Sequence, residues 1–283
     1  MKRLLKGLYN TLYRFQLYYK NKAVLDANKK LKNSQTNKRC FILGNGPSLK
    51  NQDILKLKNE ETFVVNNFWN YPKYIEFNPK YYVFLDTNTF VKTNNKSNYS
   101  KEEFIRNASL VSKLPTNFFF HIDAKNMVDV NGLFPSNKLN YLVLNGFFKE
   151  GLNFNIDISR VIPNTKNVIV ASIIIAVYMG FEEVYLLGCE HSFLATPHEY
   201  DVSDHFYKSE NYDLNNPEAV KYYTPDPTVS YETLMHDTKI LFKNYRLLKT
   251  KLAYEKPNVR IYNATPNSFL DMFPYIKFED IKL

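Results

Sequence analysis

Seven short apolar runs punctuate the chain, and segments with helical periodicity separate most of them. The runs are residues 40–43 (CFIL), 62–66 (TFVVN), 81–86 (YYVFLD), 117–121 (NFFFH), 140–144 (NYLVL), 183–187 (EVYLL) and 259–263 (VRIYN). Helical spacing marks the residues after 48, 101–113, 167–179 and 231–254; the third is apolar all round, with Gly180 as its stop. Strands that alternate with helices need crossover connections, so the pattern predicts a single open, mainly parallel α/β sheet. Ligands bind such sheets at the carboxyl ends of the strands. Polar residues stand at those ends: Asn45, Asn66 with Asn67, Asp86 with Asn88, Glu190 with His191, and Asn263 with Thr265.

Charge divides the chain unevenly. Residues 1–39 hold eleven Lys/Arg against one acid, Asp26, and so carry +10 of a net +9; the other 244 residues net −1. Leu4, Leu8, Leu12 and Phe15 recur at helical spacing in the first twenty residues, with Lys2, Arg3, Lys6, Arg14 and Lys20 around them. Lys6, Asn10 and Arg14 interrupt any signal-peptide core, and no run reaches the length of a spanning helix. The segment reads either as an amphipathic helix lying on an anionic membrane, or as a helix docked on its own domain or on another subunit. The expected organisation is a basic helix and polar linker over 1–37 and a catalytic domain over 38–283. Within that domain, residues 190–230 form a polar, aromatic lid without clear period. The neutral body has no basic groove, which argues against a nucleic-acid partner. Two cysteines, Cys40 and Cys189, are too few for a disulfide framework and fit a reducing compartment.

Gly44-Asn45-Gly46-Pro47-Ser48 sits between a strand and helical periodicity. Glycines there permit a tight turn close to a phosphate or ribose, and a helix N-terminus favours an anion. Leu49 occupies the place of the third dinucleotide-fingerprint glycine, so the plainer reading is a strand–helix turn capped by Ser48. The chain has no Asp-x-Asp and no Gly-x-x-x-x-Gly-Lys, which argues against metal-bridged diphosphate and P-loop chemistry. His191, His198 and His205 recur every seven residues but lack zinc-site spacing. His236, beside Asp237 near the start of the last long helix, is of the residue type that serves as a general base; sequence alone favours a surface or capping histidine. The lid tyrosines Tyr200, Tyr207, Tyr212, Tyr222 and Tyr223 can stack on a base or simply pack.

Taken together, the blocks ILGNGPSL (42–49), VVNNF (64–68), YYVFLD (81–86), GFEEVYLLGCEHSF (180–193) and IYNATPNSFLD (261–271) carry a resemblance. They resemble the bacterial α-2,3/2,8-sialyltransferases of the Campylobacter lipooligosaccharide type. They are also similar to the wider group of motility accessory factors linked to nonulosonic acid transfer. The resemblance implies a Rossmann-like, GT-A-like variant fold with a lid, and inverting transfer of an acidic sugar from a CMP donor without metal or other cofactor. It implies Gly44, Asn45, Gly46 and Ser48 near the donor, and Asn66 or Asn67 near its phosphate. Asp86 stands where the family has an asparagine. Gly188, Cys189 and Glu190 match the cytidine segment, with His191 following it at the donor. His236 matches the catalytic histidine. Lys166-Asn167-Val168 replaces a Thr-Ser-Gly, leaving Asn167 as the candidate there, and Ser192 replaces a tyrosine, leaving Tyr200 or Tyr207. Those departures admit a nonulosonic acid other than sialic acid, or Kdo. The expected partners are a nucleotide-sugar donor, a glycan or glycolipid acceptor and an anionic membrane surface. The expected place is cytoplasmic, peripheral on the inner face of the cell membrane, with oligomers possible. A diphosphokinase-like transfer enzyme or a non-catalytic sugar-binding assembly protein are the alternatives.

Overall fold

The computed structural model describes residues 2–87, 101–135, 138–192, 194 and 230–283. Most of the lid lies outside the described residues, and with it Tyr200, Tyr207, Tyr212, Tyr222, Tyr223, His198 and His205; so does Asn88. Seven strands build one sheet: β1 (Arg39–Leu43), β2 (Thr62–Val65), β3 (Tyr81–Phe84), β4 (Asn117–His121), β5 (Leu139–Leu142), β6 (Glu183–Leu187) and β7 (Arg260–Asn263). Their order is β5-β4-β3-β2-β1-β6-β7, and every pairing is parallel. The sheet is therefore wholly parallel, a Rossmann-like α/β arrangement.

Parallel strands covered on both faces are apolar on both faces, and these are. In β4, Phe119 enters the core layer of α6 (Val168–Met179) and α7 (Tyr231–Glu255). Its neighbours Phe118 and Phe120 enter an aromatic layer with Phe84 and Phe104, the latter on α4 (Lys101–Val111). The alternation repeats in β1, where Ile42 faces one layer and Phe41 and Leu43 the other. Eleven of the twelve α6 residues are buried, each large aliphatic contributing roughly 1.5–3 kcal/mol. Asn167 caps α6 by accepting a hydrogen bond from Ile169 N at 2.7 Å, and Gly180 ends it with φ +96°.

Residues 33–36 lie against the end of that helix. Asn33 N donates to Tyr178 O (3.1 Å) and Gln35 N to Met179 O (2.7 Å), so this stretch satisfies helix-terminal carbonyls. Upstream, α1 (Lys2–Lys20) leads into α2 (Lys22–Ala27). Leu25 is wholly buried with Val143 and Val161, and buried Asn28 donates to Tyr141 O and Ile158 O, both at 2.9 Å. Arg14 also ties the basic segment to the body, its guanidinium donating to Val161 O at 2.9 Å.

Strand order locates the reversal point. From β1 the chain steps outward through β2, β3, β4 and β5, then returns through α6 to place β6 on the other side of β1. The carboxyl ends of β1 and β6 therefore border the topological switch, where open α/β sheets bind ligands.

Candidate functional site

At this switch the loops following β1 and β6 fold against each other. Gly44 N donates to Leu187 O (2.8 Å) and Gly46 N to Gly188 O (3.0 Å), extending the contact beyond the strands. A Cβ on Gly44 would run into the carbonyl oxygen of Gly188. One on Gly188, whose φ is +62°, would lie 2.8 Å from Leu49 Cγ. One on Gly46 would fall inside the Glu190 carboxylate. The glycines are thus fixed by close approach of two protein segments.

The α-helix expected after this loop is two 3₁₀ turns, Pro47–Asn51 and Ile54–Leu57, broken at Gln52 and Asp53. Ser48 does not cap the first turn; Gly46 occupies the cap position, and no side chain bonds there. Instead Glu190 Oε1 accepts a hydrogen bond from Ser48 N at 2.6 Å. The protein's own carboxylate thus occupies the Ser48 amide.

Among the described residues, several buried polar atoms around the loop have no partner: Asn45 Oδ1, Ser48 Oγ, Gln52 Oε1, Asn66 Oδ1 and Glu190 Oε2. Asn45 Nδ2 donates to Val65 O (3.2 Å), so its oxygen is the end left over. Asn66 has a φ of +46°, and its carbonyl accepts a hydrogen bond from the Tyr82 hydroxyl. Four of these five atoms are acceptors only, and the fifth is a hydroxyl. Buried unpaired acceptors are costly, and a group that approached them would have to be a hydrogen-bond donor. Asn67 is buried beside Asn66, and Asp86 is half-buried just beyond β3.

Other expected site residues serve the fold. Cys189 is buried: its N–H donates to Thr265 Oγ1 (3.0 Å), its thiol to Leu187 O (3.4 Å), and its carbonyl accepts from Ser268 Oγ (2.6 Å). Burial pushes that thiol well above its ordinary value, so it stays protonated. His191 turns away from the crevice. With φ +53° it buries its ring against Phe242 and Tyr245, its Nε2 lying 2.9 Å from the Tyr245 hydroxyl. Burial lowers its pKa to about 4. Thus Glu190 and His191, adjacent in sequence, turn to the Ser48 loop and to the core respectively.

Asn167 lies at the N-terminus of α6, the end that faces the carboxyl edge of the sheet. Lys166 pairs with Asp237 at 2.7 Å and so holds the start of α7 near that turn. His236 precedes Asp237 on the same helix with its side chain 68% exposed, Nδ1 3.8 Å from Asp237 Oδ1. The lid residues that would complete this side lie outside the described residues. On the β7 side, a cavity of about 730 Å³ is lined by Lys249, Asn267, Ser268, Asp271 and Tyr275 among others. Phe269, between the lining residues Ser268 and Leu270, donates its N–H to Glu190 O at 2.8 Å. Among the described residues, no three His, Cys, Asp or Glu side chains gather in a metal-binding arrangement.

Sequence reading missed Gln52, Ser268 and Tyr245. The first two tie the two loops to the segment after β7, with Gln52 Nε2 donating to Ala264 O at 2.9 Å. Their only signal is position next to glycine-rich or proline-bearing turns.

Comparison with known proteins adds little to this geometry. No family model matches the chain, and no curated protein matches it. One similar solved structure is the MAf glycosyltransferase from Magnetospirillum magneticum AMB-1, at 12% identity and a TM-score of 0.49. The match covers 94% of this chain and 39% of that one, so the chain spans about two fifths of that protein's length.

Proposed function

We propose that the crevice between β1, β2 and β6 binds the nucleoside part of a nucleotide-sugar donor, and that the protein is a glycosyltransferase. The observation that carries this reading is the cluster of unpaired acceptors: Asn45, Gln52, Asn66 and Glu190, with the Ser48 hydroxyl among them. Ribose hydroxyls and an exocyclic base amine are the donors such a cluster suits, and a carboxylate matches a cis-diol. With Glu190 already on the Ser48 amide, the donor's phosphate falls to the N-terminal turn of α6 and Lys166.

The finer assignment rests on the resemblance of residues 42–49 and 180–193 to sialyltransferases that use CMP donors. The reaction is inverting displacement at the anomeric carbon of an acidic sugar. The acceptor hydroxyl attacks, the CMP phosphate leaves, and His236 takes the hydroxyl proton. A positioned base typically contributes about 10²–10⁴-fold. His236 suits the role by its place on α7, held at the carboxyl edge through the Asp237–Lys166 pair. The acceptor is a surface glycan or glycolipid.

The test is transfer from a CMP-activated acidic sugar in EDTA, with His236→Ala beside the natural chain. His236→Ala is expected to lower turnover at least about 100-fold while CMP affinity and melting temperature hold. Full activity in that variant removes His236 from the mechanism. A strict divalent-metal requirement, or preference for a uridine donor, overturns the donor assignment.

A further inference from the structure

The basic N-terminal segment has two faces, and only one is used by the fold. Arg14 donates to Val161 O, while Leu17 and Tyr18 pack on the Leu25, Val143 and Val161 cluster. On the opposite side of α1, Leu12, Phe15 and Tyr19 are 62%, 57% and 65% exposed. Steps of three and four residues put these three side chains in one row, and Leu8 continues the row in sequence. Phe15 and Tyr19 stack with their ring centroids 6.4 Å apart, forming a continuous aromatic ridge. Exposed aromatic ridges of this kind are rare on a surface that meets only water.

We propose that this outward face of α1 docks the protein on an anionic lipid surface. Charge decides between the occupants. Between residues 2 and 20, α1 carries Lys2, Arg3, Lys6, Arg14 and Lys20 and no acid, so a second copy of the helix would bring like charge against like. An anionic bilayer complements it, accepting the Leu12, Phe15 and Tyr19 row at the acyl boundary and the Lys side chains at the headgroups. Among the described residues no helix is long and apolar enough to cross a membrane, so the association is in-plane. Packing through Leu17, Tyr18, Leu25 and Asn28 fixes the face rigidly to the β5 edge of the sheet. The docking is independent of whether the crevice holds a nucleotide.

The test is co-sedimentation of the full chain with phosphatidylcholine vesicles, with and without about one third phosphatidylglycerol. Binding is expected only with the anionic lipid, weakening at least about tenfold as salt rises severalfold. The triple variant Leu12→Ser, Phe15→Ser, Tyr19→Ser is expected to lose at least about tenfold in binding with an unchanged melting temperature, because these side chains are exposed. Equal binding to neutral vesicles, no binding to either, or unimpaired binding by the triple variant overturns the proposal. A dimer by analytical ultracentrifugation that the triple variant dissolves, without vesicle binding, assigns the face to a second copy instead.

Discussion

The two sides of the turn after β6 treat polar groups in opposite ways. On the core side, His191 and the Tyr245 hydroxyl satisfy each other at 2.9 Å inside a wall of apolar side chains. On the crevice side, Glu190 uses one oxygen on Ser48 N and leaves the other buried and unpaired, amid similar atoms of Asn45, Gln52 and Asn66. Buried atoms without a protein partner among the described residues also occur elsewhere, at Tyr74, Asn140 and Tyr178, but beside Glu190 several of them adjoin one loop. The difference separates a residue that holds the fold from those to which the proposal assigns the donor.

Substitutions that close the crevice wall test the comparison most severely. Gly44→Ala drives a Cβ into backbone, the Gly188 carbonyl, which cannot rotate away. It is expected to cost about 3 kcal/mol or more, read as a large fall in the urea midpoint or loss of soluble protein. A variant as stable as the natural chain would mean that the two loops are not packed as described.

The core side predicts a pH signature. His191 has its pKa lowered to about 4 by burial, below the ordinary 6.5 of an unfolded chain. Between those values the unfolded state binds the proton and the folded state does not, so stability rises with pH across that window. The stabilising contribution is complete above pH 6.5 and is lost as pH falls toward 4, about 3 kcal/mol in all. Chemical denaturation from pH 4 to 7 reads it, and His191→Gln is expected to flatten the slope. An unchanged slope in that variant places the titration elsewhere.

How much of this was legible in the sequence follows from how local each cause is. The β4 and β6 boundaries are readable because strands covered on both faces are continuous apolar runs. The α6 helix is equally plain, with Asn167 before it and Gly180 after it. The turns after Gly46 were misread as a helix because Leu49, Ile54 and Leu57 are spaced well enough for one. The basic segment looked separable by charge count, yet Leu25 and Asn28 sit buried among its lysines. Hardest of all were Glu190 and His191. Opposite roles for neighbours depend on Ser48, 142 residues away, and Tyr245, 54 residues away, and no local pattern announces either.

Isothermal titration of CMP in EDTA, with the natural chain and Glu190→Gln side by side, tests the central claim most directly. Glu190→Gln replaces the free acceptor oxygen of the crevice while keeping its shape. Saturable CMP binding by the natural chain is expected, weakened at least about tenfold in Glu190→Gln, or about 1.4 kcal/mol, with the same melting temperature. No binding by the natural chain, or equal affinity in the variant, would contradict it.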